Sequence, residues 1–337
     1  MASKYLDRKS RRVTPWDNED NLTATQAFIK AKANEHYEER HTELKAAGEA
    51  EMINSYEPHK CPYCGSEWFH KFGFTSNGIR RFRCGECKRT FLPTTGTIFD
   101  ERRISIEEWL EYCYNLFRHV SITADSWNNK NAFTTSKYWL QKVFLTLDGC
   151  QDSIILKGEV WLDETFYTVR SDKIARYEDG TKLRGISKNQ ICIGVATDGI
   201  HSLFLVEGAG KTSQKKTFET FRPHITRGST LIHDREGAHT KLVDELGLNS
   251  KTYRAENLMG LPDKENPLYP VNHAHAILKR FLRAHSGFDR SEIHGYLNLF
   301  AFVSNPPSDQ HEKADIFIKT ALEHPKSLRY REYFAVK

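Results

Sequence analysis

Residues 158–167 run Gly-Glu-Val-Trp-Leu-Asp-Glu-Thr-Phe-Tyr, a stretch typical of a strand in which the acidic residue Asp163 stands among apolar side chains. A second predicted strand, residues 229–234, ends in Asp234. A carboxylate in a buried strand is costly unless it binds something, usually a cation. A simpler interpretation is that both residues lie at strand ends and face water, but two of them in a suitable strand order favour a functional site.

The segments around these two strands indicate the class of fold. In chain order, the predicted elements from the first of these strands onward are strands at 158–167, 189–196 and 201–206, a helix at 212–224, a strand at 229–234, a helix at 238–246, a strand at 252–254 and a helix at 271–282. This order predicts an RNase H-like domain, an α/β fold in which helices cover a mixed sheet. Such a sheet places the strands of Asp163 and Asp234 side by side.

Two carboxylates held together suit phosphoryl-transfer chemistry. Carboxylate oxygens are hard ligands of the kind that Mg²⁺ prefers. Two Mg²⁺ ions about 4 Å apart can activate an attacking oxygen and stabilise a leaving one. Asp163 and Asp234 are therefore predicted as magnesium ligands of a catalytic site.

A third part of the site is predicted on the helix at 271–282. At about 100° per residue, Asn272, His275, Lys279 and Arg283 fall on one side and the apolar residues on the other. We expect the apolar side to pack on the edge of the sheet and the polar row to face the metals and the DNA backbone. A polar row is more often a solvated helix face, but Asn272 at its start favours function.

Four of the seven cysteines form a metal-binding pattern. Cys61 and Cys64 precede Cys84 and Cys87 in the C-x2-C…C-x2-C spacing that is typical of a structural zinc site. Strands predicted around a turn at 75–78 complete a zinc ribbon, whose folding energy would come from the metal. The other cysteines lie in apolar runs and are expected to be small buried hydrophobic residues.

The ribbon is also basic. Between Lys60 and Arg89 there are seven basic and two acidic residues. The basic residues that we expect to contact DNA phosphate are interleaved with aromatic residues and comprise Arg80, Arg81, Arg83, Lys88 and Arg89. The alternative is that the ribbon only braces its neighbours.

A helical segment follows the ribbon. Residues 105–108 form a capping-box pattern ahead of an amphipathic helix, and a later helix begins near Thr134 or Thr135. Ser136, Lys137 and Gln141 lie outside the apolar face of this later helix, where they could reach bases. The pattern suggests a helix-turn-helix, although a three-helix spacer explains it equally well.

Composition limits the remaining possibilities. The 337 residues are 39% hydrophobic and 12% aromatic, which excludes a wholly disordered chain. A mean hydropathy of −0.62 and the lack of a long apolar run argue against a membrane span, so we expect a cytoplasmic protein. The net charge of +5 is small, so any nucleic-acid surface must be local.

The chain is predicted to have five divisions. They are a charged helical arm at 1–57, the ribbon at 58–98, the helix-turn-helix-like segment at 99–150, the catalytic domain at 151–304 and a helical tail at 305–337.

Several of these motifs recur together in one known family. They are Cys61-x2-Cys64…Cys84-x2-Cys87, Trp161-Leu-Asp163-Glu-Thr165, His233-Asp234, and Asn272 with Lys279. From about residue 58 to residue 304 the chain resembles the zinc-ribbon DDE transposases of bacterial insertion sequences, and most closely the insertion-sequence 1595 family. Asn272 stands where most such enzymes have Glu, and Lys279 matches the basic residue seven positions later. The family includes members with Asn at this position.

Asn272 nevertheless changes the chemistry of the third position, because a neutral carbonyl is a weaker Mg²⁺ ligand than a carboxylate. His275, one turn later, could assist as a ligand or general base. Other acidic residues that could restore the charge are Glu164, Glu236 and Glu265. Asn272 ranks first because only it has the spacing to Lys279.

The resemblance implies a DNA transposase that binds terminal inverted repeats and target DNA as a homodimer. It implies one structural Zn²⁺ and two catalytic Mg²⁺, for which Mn²⁺ can substitute. Water and then the freed 3′-hydroxyl would attack phosphorus in line, while Lys279 and Arg283 contact DNA. Two alternatives stay open: an inactive or domesticated transposase that regulates through DNA binding, and a nuclease without strand transfer.

Overall fold

The computed structural model describes residues 22–43, 48–100, 105–128, 131–168, 174–183, 185–234, 237–285 and 287–335. Its contacts divide these parts into two units, one from Met1–Lys142 together with Ile318–Lys337 and the other from Val143–Phe317. The five predicted divisions of the chain remain predictions. None of the helices within the described ranges combines the length and the hydrophobicity that a membrane crossing requires.

The elements follow one another in the predicted alternation. The N-terminal half contains α1 (Ala24–Glu43), α2 (Glu49–Asn54), β1 (Phe69–Phe74), β2 (Arg80–Cys84), β3 (Thr90–Phe91), α3 (Ile106–Phe117), α4 (Ile122–Asn128) and α5 (Phe133–Leu147). The next part contains β4 (Glu159–Tyr167), β5 (Ile191–Thr197), β6 (Ser202–Ala209), α6 (Gln214–Phe221), β7 (Thr230–Asp234), α7 (Thr240–Leu246), β8 (Asn249–Tyr253) and α8 (Ala255–Leu258). The last part contains α9 (Tyr269–Ala284), α10 (Ile293–Ser304), α11 (Gln310–Glu323) and α12 (Tyr330–Ala335).

The second unit is built on a five-stranded mixed sheet in the order β6-β5-β4-β7-β8. The first three strands along the chain are antiparallel neighbours, whereas β7 and β8 continue the sheet in parallel with β4. This confirms the predicted mixed sheet and the predicted order of strands and helices. It makes β4, which carries Asp163, the central strand.

The two faces of β4 have different partners because side chains alternate along a strand. Val160 and Leu162 are fully buried in an apolar core that also includes side chains from α6 and α7. On the opposite face, the Trp161 indole N–H donates to the carbonyl of Pro267 at 2.8 Å, and the Tyr167 hydroxyl donates to the carbonyl of Leu282 at 3.2 Å. These bonds hold α9 and the loop before it against the face to which Asp163 belongs.

The buried stripe of helix α9 matches the prediction only in part: Leu278 and Phe281 are buried as expected, whereas Ala274 and Ile277 are half-buried. Val271, His275, Leu278 and Leu282 are all buried, and the helix packs against β4 and β5. The prediction that separates His275 from the apolar side of the helix is therefore wrong, because a spacing of four, three and four residues puts it in the buried stripe. His275 still faces the predicted site, 3.9 Å from the Asp163 carboxylate. Asn272 and Arg283 are exposed and Lys279 is half-buried.

The ribbon forms as expected. Strands β1, β2 and β3 make an antiparallel sheet, and residues 75–78 form the predicted turn, in which the Gly78 N–H donates to the Thr75 carbonyl at 3.0 Å. Gly78 adopts φ +77°, a conformation that favours glycine. The apolar side of this small sheet packs Phe69, Phe82 and Phe91 beside the cysteines.

The helical segment differs from the prediction at Ser136 and at the start of α5, which begins at Phe133, before Thr134 and Thr135. The Ser105 hydroxyl accepts from the Glu108 N–H at 3.3 Å and so caps α3 as predicted. Ser136, predicted to be available for base contacts, is instead fully buried and donates to Asp125 at 3.0 Å. A buried carboxylate between helices must be satisfied by hydrogen bonds, and this one takes Ser136 out of any DNA-binding role. Lys137 and Gln141 are half-buried, and their predicted contact with bases stays a prediction.

Candidate active site and candidate metal centres

The carboxylates of Asp163 and Asp234 belong to neighbouring parallel strands. The ladder between β4 and β7 pairs Trp161 with Ile232 and Leu162 with His233. Asp163 and Asp234 are the next residues along each strand, and so project to the same face as Trp161 and Ile232. The sheet therefore brings together two acidic residues that are 71 positions apart in the sequence.

Asp163 is held in an environment that opposes its ionisation. Burial, and then the negative charges of Asp234 and Glu164, raise the pKa of Asp163 to about 7. The Glu164 backbone N–H donates to Asp163 Oδ1 at 2.8 Å, and this hydrogen bond opposes the rise in pKa. A bound cation would remove this penalty, and carboxylate oxygens are the donors that Mg²⁺ selects. The residues present thus fit a magnesium site.

His275 lies beside Asp163, but its ring makes no hydrogen bond to the Asp163 carboxylate. Its Nδ1 is 3.9 Å from Asp163 Oδ2, beyond hydrogen-bond distance. Burial, and then the positive charge of Lys279, lower the pKa of His275 to about 4. Within the described residues, its buried Nε2 has no hydrogen-bond partner. His275 is therefore a neutral imidazole at neutral pH, close to Asp163 and Lys279.

The remaining predicted residues of α9 line its outer side. Asn272, one turn before His275, presents an exposed amide. Lys279 lies close enough to His275 to lower its pKa. Burial raises the pKa of Tyr167, and the positive charge of Arg283 opposes that rise only in part. One helix thus carries an amide and two cations near the face to which Asp163 belongs.

A buried polar chain on the opposite face of the sheet was not predicted. The His239 Nε2 lies 2.9 Å from Glu164 Oε1, its Nδ1 lies 2.8 Å from His233 Nδ1, and His233 Nε2 lies 2.9 Å from the Ser250 hydroxyl. Burial alone would lower the pKa of His239, but Glu164 raises it. Burial, and then His239, lower the pKa of His233 to about 4. The only local signal in the sequence is the polar residue next to each aspartate, Glu164 after the first and His233 before the second.

This series of hydrogen-bonded side chains adjoins the candidate magnesium site at Asp234. One ligand atom from each of His233, Asp234 and His239 lies within 4.8 Å of the others. Nitrogen and carboxylate ligands together suit a transition metal better than Mg²⁺. The hydrogen bonds to Glu164 and Ser250, together with the one between the two rings, use both nitrogens of each ring. The hydrogen-bonded histidines are therefore best described as a support for the strand ends.

The three other carboxylates that the sequence offers as ligands lie in different surroundings. Glu164 is engaged with His239 on the other face of the sheet. Glu265 is exposed in a short 3₁₀ helix, Asp263–Glu265. Glu236 lies outside the described residues.

The four predicted zinc ligands converge. All four sulfur atoms lie within 4.8 Å of one another, with Cys61 Sγ 3.7 Å from Cys87 Sγ and Cys64 Sγ 3.6 Å from Cys84 Sγ. A tetrahedron with Zn–S bonds of about 2.3 Å has edges of roughly 3.8 Å. Burial raises the pKa of Cys84, but the backbone N–H groups of Cys87 and Glu86 outweigh it and lower that pKa to about 6. The cluster thus fits Zn²⁺ in both spacing and thiolate chemistry.

All five predicted DNA-binding cations of the ribbon lie over aromatic rings. The distances to the ring centroids are 3.7 Å for Arg80 on Phe74, 5.4 and 5.3 Å for Arg81 and Arg83 on Phe72, 5.3 Å for Lys88 on Trp68 and 5.1 Å for Arg89 on Tyr63. Such contacts hold the long side chains in place while leaving their charge at the surface. Lys88 additionally donates to the carbonyl of Gly85.

Comparison with known proteins gives one informative relative. No family model matches the chain. A protein of Halobacterium salinarum, described as an uncharacterized protein in transposable element ISH50, is 24% identical over 251 residues, which cover 71% of this chain and 83% of that protein. The similarity spans most of both chains.

Solved structures give only distant similarity. The Mos1 strand transfer complex aligns at 10% identity and TM-score 0.27 over 66% of this chain and 78% of that one. The Mos1 transposase paired-end complex aligns at 12% identity and TM-score 0.27 over 68% and 81%. The simian T-cell lymphotropic virus intasome with PP2A regulatory subunit B56 gamma aligns at 11% identity and TM-score 0.25 over 65% and 70%. TM-scores this low carry no argument about fold or function.

Proposed function

We propose that this chain is a DNA transposase of the zinc-ribbon DDE type, in the variant with Asn at the third position, with an RNase H-like catalytic domain. The observation that carries the proposal is the convergence of Asp163 and Asp234 on adjacent strands of a mixed sheet, where burial and mutual repulsion raise the pKa of Asp163 to about 7. A relative from a transposable element supports the assignment.

Asp163, Asp234 and Asn272 would hold two Mg²⁺, or Mn²⁺ in their place. When bound, the ions would activate the attacking oxygen and stabilise the leaving oxygen at phosphorus. His275, neutral and buried beside Asp163, would exclude water from the inner side of the site. Lys279, on the outer half of the same helix, contacts the DNA phosphate next to the cleaved bond.

The ribbon and the helical segment would supply DNA binding. Zn²⁺ held by the four cysteines would order the ribbon and so present Arg80, Arg81, Arg83 and Arg89 to phosphate. The bound DNA would be the two ends of an element and the target duplex. Two protomers would act together because two ends must be joined to one target.

The test is a strand-transfer assay on the full zinc-loaded chain with Mg²⁺ or Mn²⁺ and labelled DNA that carries the ends found beside its gene. Asp163→Asn and Asp234→Asn should each abolish both nicking and joining. Glu159→Gln, which changes an exposed carboxylate on the same strand, should leave both steps intact. Cleavage that survives Asp163→Asn would refute the proposal.

The same assay decides between the alternatives. Nicking without joined product would identify a nuclease, whereas binding without nicking would identify a DNA-binding regulator. Asn272→Asp should lower the Mg²⁺ concentration needed for half-maximal cleavage, because a carboxylate replaces a neutral carbonyl. Asn272→Ala should raise it.

A further inference from the structure

The outward side of the ribbon carries aromatic rings that no core covers. Phe69, the first residue of β1, faces the apolar core, so alternation turns His70 and Phe72, together with Trp68 just before the strand, to the other side. Trp68 is 63% exposed and Phe72 is 39% exposed. Large aromatic side chains are costly to leave in water, so a row of them on one strand indicates a binding surface.

Trp68 is held as a flat platform. Its indole lies so close to Gly85 that a Cβ on that glycine would come within 2.4–2.7 Å of three ring atoms. The Gly85 N–H donates to the Trp68 carbonyl at 2.8 Å, which continues the ladder of β1 and β2. The ribbon backbone therefore covers one face of the indole, while Trp68 as a whole stays 63% exposed and the Lys88 ammonium lies 5.3 Å from the ring centroid.

Cations stand directly beside these rings. Arg83 is the cross-strand partner of His70, and both Arg81 and Arg83 lie within 5.4 Å of the Phe72 centroid. This side thus alternates flat rings with fixed positive charges. That combination matches a chain whose bases are free to stack and whose phosphates are negative, as in single-stranded nucleic acid.

We propose that the outward side of the ribbon binds unpaired nucleotides of single-stranded DNA, with a base stacked on the exposed indole of Trp68 and phosphates on Arg81 and Arg83. The proposal rests on the proposed function only in taking DNA as the substrate. Bases inside a duplex stack on one another and offer only their edges in the grooves. A duplex therefore uses the arginines but leaves the indole face without a partner.

The test compares two labelled ligands by fluorescence anisotropy, an oligothymidylate and a duplex of the same length, on the full zinc-loaded chain. Trp68→Ala should weaken binding of the single strand roughly 5- to 150-fold, the cost of losing one stacked base. Duplex binding should change little, and Trp68→Phe should restore part of the loss. Tyr177→Ala removes another exposed aromatic residue, 51% exposed and outside the ribbon, and should affect neither ligand.

Zinc content and melting temperature of each variant separate lost stacking from lost folding. Equal weakening for both ligands by Trp68→Ala, with zinc retained, would overturn the proposal and identify a duplex-binding surface. Preserved single-strand affinity in that variant would overturn it as well. If nicking survives Asp163→Asn while Trp68→Ala still selectively weakens single-strand binding, the proposed function fails and this inference stands. If the wild-type chain binds neither ligand, both fail.

Discussion

Replacing Asp163 by asparagine should stabilise the metal-free protein while abolishing its activity. The rise in the pKa of Asp163 from 3.8 to about 7 sets a ceiling of about 4 kcal/mol on the cost of ionising this group. Because 24% of the side chain is exposed, water reduces that cost, and we expect a gain of roughly 2 kcal/mol at about pH 8. For a unit of this size that gain raises the melting temperature by roughly 4–8 °C.

The dependence on pH has a definite sign. The folded protein holds a proton on Asp163 that the unfolded chain releases near its ordinary pKa, so wild-type stability falls as pH rises from about 4 to about 7. The gain in folding stability from Asp163→Asn is therefore small near pH 4 and reaches its full size above about pH 7. Magnesium should stabilise the wild type by about 2.7 kcal/mol at a hundredfold excess over its Kd and leave the variant unchanged.

Melting temperatures measured across this pH range, in buffer without added divalent cations and with zinc retained, check the reasoning. Glu159→Gln is the matched control, because Glu159 lies on the same strand in an exposed ion pair with Lys251 at 2.8 Å. Its effect on the melting temperature should be small, because exposed ion pairs contribute little to stability. An Asp163→Asn protein that is less stable than wild type at alkaline pH would refute this account of the site. A Glu159→Gln control that gains as much stability as Asp163→Asn would refute it as well.

Three further perturbations follow from the described contacts. Cys84→Ser should lower bound zinc below one ion per chain and remove DNA binding by the ribbon, because metal binding supplies about 10–16 kcal/mol to the folding of a unit of this size. Metal analysis and fluorescence anisotropy measure the two effects. Glu164→Gln should cost about 3–5 kcal/mol in denaturant unfolding, since it leaves His239 buried without its charged partner, and a further His239→Gln change should recover part of that loss. Gly194→Ala should cost about 1–3 kcal/mol in the same measurement, because its Cβ would lie 2.5 Å from the Phe221 ring; an unchanged midpoint would contradict the packing.

Several parts of the candidate site could be predicted locally. The zinc cluster follows from two short C-x2-C knuckles, because spacing alone limits how four thiols can meet. Strand and helix order follows from periodicity and turn residues, and it makes neighbours of the strands of Asp163 and Asp234. Ser105 caps its helix for the same reason, since a cap involves residues three apart.

What the sequence by itself determined was therefore the order of elements, the cysteine cluster and the two acidic strands, since each depends on neighbours along the chain. Only the tertiary structure decided which stripe of α9 meets the sheet and that His239 reaches Glu164. A helical wheel gives the angle between side chains but not the direction of the sheet, so His275 was grouped with the polar row and is instead part of the buried stripe, beside Asp163. The bond between His239 and Glu164 joins residues 75 positions apart, and packing across the sheet, which no local pattern records, brings them together.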